Sequence, residues 1–553
     1  LYNAGDQHPH QTLLTAIGDS NATITATNPS TGWTATRNLT AGNTVQFNVP
    51  LTSTTSNLSN TPQTKSLGLH VTSSAPISLY ANNYRLKCND VTLIYPTDAL
   101  GTHYIIQDYP TDQAHTSVSG ASVGFVATTD NTTLTMVLPC NLINNTALVG
   151  DTLTVNLMQG ESYQLITSTS FSGMEVTSNN KLFAVFQGNR VSYIPTGSTG
   201  ADHIYEQAIP VDFWDTNYVV VSTYQRTDHI RITSSDNNCL VYSNGNLVCT
   251  LQKGGTYETS ISSNNIHHYT STKKVTIGKY LLSASSGGNP GDPSSVMITP
   301  VNKGVQHIRF STLGESEFDN YYINIIAHNS NLSGITLDGN NISNQFFLFD
   351  TTYSFARIPI TNSIHVLEST LGPIVAETYA LGNYASQAYI VARSFPEIIY
   401  DTIDFYDTIC LGQGYDTLNL TLQPIHNTTV GTFIFQRNII DGSSHLHYII
   451  HLTVLPTPSS ETYYALAYGD TIMFDGIPLT EEGEYTFSYN APGSCDSIVT
   501  VHISYRYDTI NIYDTICRGQ SYTGNGFDLP IMSTVGTRTF LRDTIEGTIP
   551  HRY

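Results

Sequence analysis

Charged side chains are scarce in this sequence. Only 12% of its 553 residues are Asp, Glu, Lys or Arg, against ~25% in an average soluble protein. The 43 acidic residues outnumber the 22 basic ones, which gives a formal net charge of -21. Phosphate backbones and anionic membrane surfaces repel such a chain, so neither nucleic acid nor a lipid surface is an expected partner.

Long apolar runs, helical periodicity and catalytic motifs are also missing. No stretch approaches the ~18 to 20 apolar residues of a membrane helix, and no segment keeps an apolar stripe of helical period. The sequence contains no Gly-x-Ser-x-Gly elbow, His-Glu-x-x-His pair or phosphate loop. We therefore expect a protein that is not an enzyme. A glycan-active enzyme remains a less favoured alternative, because two catalytic carboxylates need only meet in space.

The patterns that are present indicate strands. Segments such as Ala22–Thr27, Leu134–Leu138 and Ile277–Leu282 are rich in β-branched and apolar residues and lie between Asn, Gly and Pro turns. Thr, Ser, Asn and 35 Tyr supply most of the polarity, as suits sheets with one solvated face. The sequence predicts an all-β fold.

A longer pattern recurs over residues 1–395. Strands that begin with tyrosine occur near Tyr104, Tyr218 and Tyr321, and a short apolar strand such as Phe183–Phe186 closes each repeat. We predict four related β-units packed as one head, either sandwich-like or propeller-like.

The C-terminal part is a tandem array. Asp407–Cys410 and Asp514–Cys517 both read Asp-Thr-Ile-Cys, each after Tyr and before a Gly-Gln pair. We predict three small Ig-like β-sandwich modules at 396–455, 456–506 and 507–553, the last of which breaks off inside the repeat. Arrays of short modules usually serve reach and display.

Seven cysteines cannot all pair within the chain. A three-residue loop at Ser243–Gly245 would place Cys239 opposite Cys249, so we predict a disulfide there. The alternative is a two-residue Asn-Gly turn that leaves both cysteines reduced. Cys495 could pair with either of the Asp-Thr-Ile-Cys cysteines, Cys410 or Cys517, and the sequence assigns no partner to Cys88 or Cys140.

Several segments of the head resemble the N-terminal domain of IgGFc-binding proteins. Ala201 departs from the pattern, because many relatives have cysteine there. The resemblance implies binding to mucosal glycoproteins, with mucin or immunoglobulin as partner. The matching segments are Tyr95–Gly101, Val123–Thr133, Phe183–Gly188, Asp202–Gln207 with Pro210, Gly291–Pro293 with Pro300, and Gly334–Gly339.

The tail, residues 400 to 553, is similar to the Asp-Thr-Ile-Cys and Cys-Asp-Ser-Ile repeat modules of large Bacteroidetes surface proteins. Many of those proteins leave the cell by the type IX pathway. This resemblance implies a secreted protein displayed on the exterior of the outer membrane. The tail would then act as a stalk for the head.

No cofactor is expected. His203 and Glu206 point to opposite faces of a strand, so they cannot share a metal, and His203 is better read as a structural histidine. The oxygens of Asp338–Asn341 could serve a structural calcium ion, but an ordinary Asx turn explains them better.

Asp followed by Thr or Ser and then an aliphatic residue or Thr recurs along the chain. It resembles the acceptor motif of Bacteroidetes O-glycosylation, and the alternative is a repeated edge-strand sequence. The candidate acceptors are Thr402, Thr408, Thr417, Thr471, Ser497, Thr509, Thr515 and Thr544 in the tail, with Thr152 and Thr351 in the head.

These features together predict a bacterial surface adhesin whose head binds a host or environmental glycoprotein or its glycan. The alternative is a structural component of a surface layer or filament, in which the repeats serve self-assembly.

Overall fold

The computed structural model describes residues 11–29, 31–50, 63–65, 67–143, 146–314, 316–391, 393–395, 401–417, 420–422, 429–441, 444–491, 495–546 and 549–553. The chain forms two compact units, Leu1–Ile398 and Ile399–Tyr553, which we call the head and the tail. The described part is almost entirely β, which confirms the all-β prediction.

Helical structure in the described residues is limited to short segments. None of these is long and apolar enough to cross a membrane. The described part contains one α-helix at Ala284–Gly287 and 3-10 segments at Thr97–Ala99, Val211–Phe213, Val301–Lys303, Asn329–Gly334 and Ser343–Gln345.

The first β-unit is a two-sheet sandwich. One sheet has the order β4-β1-β7-β8 and the other β3-β2-β6, and Leu14, Phe47 and Leu79 of the first pack on Ile24 of the second. Apolar and polar residues alternate along β2: its Ala and Ile residues are buried against the first sheet, and its Thr residues face outwards. The strands are β1 Gln11–Ile17, β2 Ala22–Thr27, β3 Thr34–Leu39, β4 Thr44–Val49, β6 His70–Ser73, β7 Ser78–Tyr84 and β8 Asp90–Ile94; β5 Gln63–Lys65 joins a sheet of the second β-unit.

The second β-unit is also a sandwich. Its sheets have the orders β16-β15-β10-β13-β5 and β12-β11-β14-β9, and Phe125, Phe183 and Leu134 meet in its core. The strands are β9 His103–Ile105, β10 Ala121–Ala127, β11 Thr132–Val137, β12 Thr152–Leu157, β13 Ser162–Thr167, β14 Glu175–Ser178, β15 Phe183–Ser192 and β16 Asp202–Gln207.

The third β-unit is one seven-stranded sheet built around the long strand β22, which pairs with β17, β18, β19 and β23. Its buried face contributes Ile230, Ile277 and Val296 to a core that Tyr379 and Tyr389 of the fourth β-unit share. The strands are β17 Asp215–Val221, β18 Asp228–Ser234, β19 Cys239–Ser243, β20 Asn246–Leu251, β21 Thr256–Ile261, β22 Ile266–Leu281 and β23 Ser294–Met297.

The fourth β-unit packs a β24-β30-β26-β27 sheet on a β28-β29-β25-β31-β32 sheet through Phe310, Ile323 and Leu367. Every residue of β31 is buried. The strands are β24 His307–Ser311, β25 Phe318–His328, β26 Ile335–Leu337, β27 Asn340–Asn341, β28 Phe347–Leu348, β29 Tyr353–Ile360, β30 Ile364–Ser369, β31 Ile374–Gly382 and β32 Ala385–Ile390.

Charge is buried where the third and fourth β-units meet. Lys279 donates to Glu377 and to the carbonyl of Val221, and Asn324 donates to the same Glu377 oxygen at 2.8 Å. The side chains of Lys279 and Glu377 are 1% and 7% exposed. Such a pair depends on both partners, because either one alone would be a buried charge without compensation.

The tail repeats one small arrangement: a three-stranded sheet whose first and last strands are parallel, and a two-stranded hairpin. In the first repeat Tyr415 of the hairpin packs on Ile450 and Leu452 of the sheet. The strands are β33 Asp401–Cys410, β34 Tyr415–Thr417, β35 Leu420–Leu422, β36 Gly431–Asp441, β37 Ser444–Leu455, β38 Ser459–Leu466, β39 Ile472–Phe474, β40 Ile477–Leu479, β41 Gly483–Tyr489, β42 Ser497–Tyr505, β43 Asp508–Thr509, β44 Tyr522–Gly524, β45 Phe527–Leu529, β46 Asp543–Glu546 and β47 Ile549–Arg552.

The disulfide predicted between Cys239 and Cys249 is not formed, and both are free thiols. The hairpin turns through two residues, Asn244 and Gly245, both with positive φ, and a bulge follows on β20. Cys239 therefore lies opposite Leu251, and Cys249 lies opposite Val241. Two cysteines displaced by two positions are not directly opposite, as a cross-strand disulfide in this hairpin would require.

The disulfide that does form joins Cys410 to Cys495, whose Cα atoms are 5.4 Å apart. It selects one of the two partners that the sequence leaves open for Cys495. Cys88, Cys140 and Cys517 form no disulfide, and Cys517 is exposed.

Candidate functional site

A cleft of about 1150 Å³ lies between the first β-unit and the outer face of the β10 sheet of the second. One wall comes from β1, β6, β7 and the loop before β3, and the other from β10, β13, β15 and β16. The volume slightly exceeds that of typical small-molecule pockets, ~300 to 1,000 Å³. We call this space the cleft.

The register of the β10 sheet sets a row of side chains across the cleft. Gly124 of β10 lies opposite Gln164 of β13 on one side and opposite Phe186 of β15 on the other, and Phe186 lies opposite Gln207 of β16. Residues directly opposite on antiparallel strands share a face. Along this row lie the amide of Gln164, the open position at Gly124, the ring of Phe186 and the amide of Gln207.

Aromatic rings line both walls. Phe186 stacks on Tyr205, with ring centroids 5.6 Å apart and ring planes 14° apart. Trp33 of the first β-unit lines the facing wall and is half-buried. The neighbouring residues on the sheet are small, Gly124, Ser162 and Ala184, so the cleft has space beside the aromatic faces.

Polar contacts hold the two walls together. The Asn83 amide of β7 donates to Nε2 of His203 at 2.9 Å, while His203 Nδ1 donates to the Arg190 carbonyl at 3.2 Å. Tyr95 donates its backbone N–H to Oε1 of Gln207 at 2.9 Å. His203 is thus a buried, hydrogen-bonded histidine, in agreement with its structural interpretation.

The lining is almost free of charge. Among the described residues of the cleft, Asp98 is the one carboxylate and no Lys or Arg occurs. Asp98 and His70 are both exposed. The described part of the lining therefore contains one carboxylate and no positive side chain.

Buried carboxylates lie behind the cleft, on the other face of β16. Asp90 accepts hydrogen bonds from both the hydroxyl and the N–H of Ser295, from the Ser294 hydroxyl and from the Tyr205 N–H, at 2.7 to 3.1 Å. Burial raises the pKa of Asp90 to about 7. Burial, and then the nearby Asp292 and Asp90, raise the pKa of Asp202 well above its usual value. These groups organise the interior and do not line the cleft.

Metal binding finds no support in the described part of the chain, which contains no group of three or more His, Cys, Asp or Glu that could hold an ion. Asp338 accepts from His365 Nδ1 at 2.7 Å and from the Val366 N–H at 2.8 Å. Asp338 and Gly339 both have positive φ in the β26–β27 turn. The Asp338 carboxylate therefore bonds to β30 and not to an N–H of its own turn, as the Asx turn expected from the sequence would require.

The candidate O-glycosylation residues lie at the surface. Asp407 and Asp514 accept from the backbone N–H of the following Thr408 and Thr515, both at 2.8 Å, so the two copies of the repeat share one local geometry. Thr417, Ser497 and Thr544 are half-buried, and the exposed candidates are Thr402, Thr408, Thr471, Thr509, Thr515, Thr152 and Thr351.

Sequence reasoning missed the cleft itself. Its aromatic pair lies in two segments that carry the family resemblance, Phe186 in Phe183–Gly188 and Tyr205 in Asp202–Gln207. Those segments are adjacent because β15 and β16 pair. The sequence showed these two segments as motifs of the family resemblance, but it did not indicate that they lie side by side in the wall of a cleft.

The head of the chain is similar in sequence to known proteins. Residues 90–379 match the family model described as "IgGFc binding protein". The human "IgGFc-binding protein" is 24% identical over 305 residues, which is 53% of this chain and 6% of the human protein. The chain thus spans a small fraction of the length of that relative. Since the family model covers more than half of the sequence, the chain belongs to the IgGFc-binding protein family.

Proposed function

We propose that this protein recognises an extracellular glycoprotein through the cleft of its head. The observation that carries the proposal is the cleft: a large space between two β-units whose described lining has little charge, with aromatic rings on both walls and amides beside them. Recognition sites commonly combine such apolar surface with a few placed polar groups. The name of the human relative says that it binds the Fc part of IgG, and this supports immunoglobulin as a partner; mucin is proposed beside it on the family resemblance described above.

The tail suits display of the head. Its modules are small and repeat one arrangement, and the Cys410–Cys495 disulfide joins the first two. Disulfides persist in oxidising surroundings outside the cell. We propose a secreted protein on the exterior of a Bacteroidetes-type outer membrane, exported by the type IX pathway, with no enzymatic activity of its own.

The binding test uses the full chain against immobilised mucin and immunoglobulin G. We expect saturable binding to at least one of them and a clear loss of affinity in Trp33→Ala. Tyr384→Ala is the matched control, because Tyr384 is an aromatic residue of the head that is 52% exposed and lies outside the cleft. Equal affinity of both variants would contradict recognition through the cleft.

A structural role in a surface layer is the second candidate function. It is favoured by apolar side chains left exposed on the first tail sheet, such as Ile434 at 62%. Sedimentation of the full chain over a range of concentrations tests it. Reversible self-association together with no saturable glycoprotein ligand would favour assembly over recognition.

We also propose that the tail carries O-glycans on its Asp-Thr motifs. The low charge of the chain and the exposed Thr408 and Thr515 support this, since bulky polar groups protect sheet edges against association. Glycopeptide analysis of protein from its native source is the test. Unmodified side chains at all eight tail motifs would leave the edge-strand interpretation in place.

A further inference from the structure

An amine, a carboxylate and a carboxamide meet in the interior of the head, where the third and fourth β-units pack together. Lys279 of β22 donates to Oε1 of Glu377 on β31, and the side-chain amide of Asn324 on β25 donates to the same oxygen at 2.8 Å. All three residues are buried. The shared oxygen therefore holds the amine of Lys279 beside the carboxamide of Asn324.

Paired strands fix the positions of these groups. Asn324 lies directly opposite Glu377 in the antiparallel pair of β25 and β31, so the two side chains share a face of the sheet. Lys279 reaches that face from the third β-unit, and its Nζ also donates to the Val221 carbonyl at 3.1 Å. Two groups held in contact in this way can react at rates that free groups in solution do not approach.

The surroundings are apolar and leave little room for water. The space beside Glu377 is about 10 Å³ and is lined by side chains that include Val219, Ile326 and Val375. One water molecule needs at least that much. Hydrolysis by bulk water therefore does not compete with attack by the neighbouring amine.

The three groups are costly to bury in their present form. An ion pair in the interior has lost the hydration of both charges. Oδ1 of Asn324 accepts no hydrogen bond from any residue that the structure describes, and a buried acceptor without a partner is also unfavourable. A reaction that removes the charges and supplies a donor to this oxygen would relieve both costs.

We propose that the side chains of Lys279 and Asn324 condense to an amide, with Glu377 carrying the protons. Glu377 takes a proton from the Lys279 ammonium, and the freed lone pair of Nζ attacks Cγ of Asn324. Glu377 then passes its proton to Nδ2, the bond from Cγ to Nδ2 breaks, and ammonia leaves. The second proton lost by Nζ stays on Glu377.

The products balance the starting groups without another reactant. An ammonium, a carboxylate and a carboxamide become a secondary amide, a neutral carboxylic acid and ammonia, so no charge remains buried. The acid has an O–H to donate to Oδ1 of Asn324. The bond joins the third and fourth β-units covalently and does not depend on what the cleft binds. The ion pair described above is the state before the reaction, and the unfolding energies expected for its variants in the Discussion refer to the unlinked chain.

The mass of the full chain tests the proposal. After denaturation and reduction, the wild-type chain should be lighter than its sequence by one molecule of ammonia. A tryptic digest should contain residues 275–303 uncleaved at Lys279, because trypsin does not cleave after an acylated lysine, and linked to residues 310–357, which contain Asn324. The full sequence mass with normal cleavage at Lys279 would overturn the proposal, and so would an ammonia loss that maps to a different peptide.

Two variants test the assigned roles. Glu377→Gln keeps the size of the side chain but cannot carry the proton, and Asn324→Ala removes the carbon that is attacked, so both chains should keep their full sequence mass. Lys253→Gln is the matched control, because Lys253 pairs with Glu175 at the surface, where their side chains are 40% and 41% exposed; it should lose ammonia as the wild type does. Linkage in Glu377→Gln equal to that of the wild type would refute the role of Glu377. The wild-type digest decides whether the bond exists even where a variant does not fold.

Discussion

The Cys410–Cys495 disulfide should carry much of the stability of the tail. The two cysteines are 85 residues apart in sequence and lie in different modules. In the chain-entropy model, closing a loop of that length removes ~15 cal/mol/K from the unfolded chain, or ~4.5 kcal/mol at 25 °C. The first two modules bury few residues completely, among them Ile450 and Val501, and such small cores supply little stability of their own. We expect Cys410→Ser with Cys495→Ser to lower the free energy of unfolding of the tail by up to that amount.

The assay can separate the tail from the head, because both tryptophans lie in the head. Tryptophan fluorescence therefore follows unfolding of the head in denaturant, while limited proteolysis followed by mass spectrometry detects opening of the tail. The double variant should be cleaved in the tail at lower denaturant, with the fluorescence transition unchanged. Cys517→Ser is the control, because Cys517 is a free, exposed thiol. Non-reducing peptide maps that link Cys495 to Cys517, or an unaltered cleavage pattern in the double variant, would refute this reasoning.

Three further outcomes are expected in the head. Lys279→Met should destabilise it by ~3 to 5 kcal/mol in urea unfolding, because Glu377 would remain buried without its partner, and adding Glu377→Leu should restore most of the loss. Burial raises the pKa of Asp90 from 3.8 to about 7. The contribution of this group to the free energy of unfolding is therefore complete below pH ~4 and is lost, by ~4 kcal/mol, as the pH rises through 7. Asp90→Asn should flatten the measured pH dependence of the free energy of unfolding between pH 4 and pH 7. Alkylation under denaturing, non-reducing conditions should label both Cys239 and Cys249, and a pair that stays unlabelled would restore the predicted disulfide. In the native state Cys249 should react slowly, because burial and then the neighbouring Cys239 raise its pKa to about 11.

The features that the sequence predicted well depend on local periodicity. Strand alternation in segments such as Ala22–Thr27 requires only the two-residue repeat of a sheet, and the observed burial follows it. The same parity argument separated His203 from Glu206, and the structure gives them different partners, Asn83 for the histidine and Thr92 for the glutamate. Such arguments succeed because they involve one strand at a time.

The predicted disulfide failed because it depended on a register. Asn-Gly permits both a two-residue turn and a longer loop, and the choice displaces one strand relative to the other. The structure adds a bulge between Leu247 and Cys249, which shifts the pairing again and has no signature in the residues themselves. A single residue thus decides whether two cysteines face each other. The pairing of Cys410 with Cys495 could not be predicted for a different reason. The two cysteines lie in different modules, and no local sequence pattern shows that these residues come close together.

The cleft lies beyond sequence reasoning for a related reason. Alternation alone predicts that Gln164, Phe186 and Gln207 each point to one side of their strands, but not that the three sides coincide. They form a row only because β10 pairs with β13 on one edge and with β15 on the other, and because β15 continues to β16. Gly124 weakens its own strand because it offers no side chain to pack. The structure gives a reason for glycine at this position, since a larger residue would occupy the space beside Phe186. A strand position that favours space over packing is the kind of local conflict expected at a binding site, and it makes Gly124→Leu a direct test: the variant should close the cleft to the glycoprotein proposed as its ligand while the denaturant unfolding transition of the head stays in place.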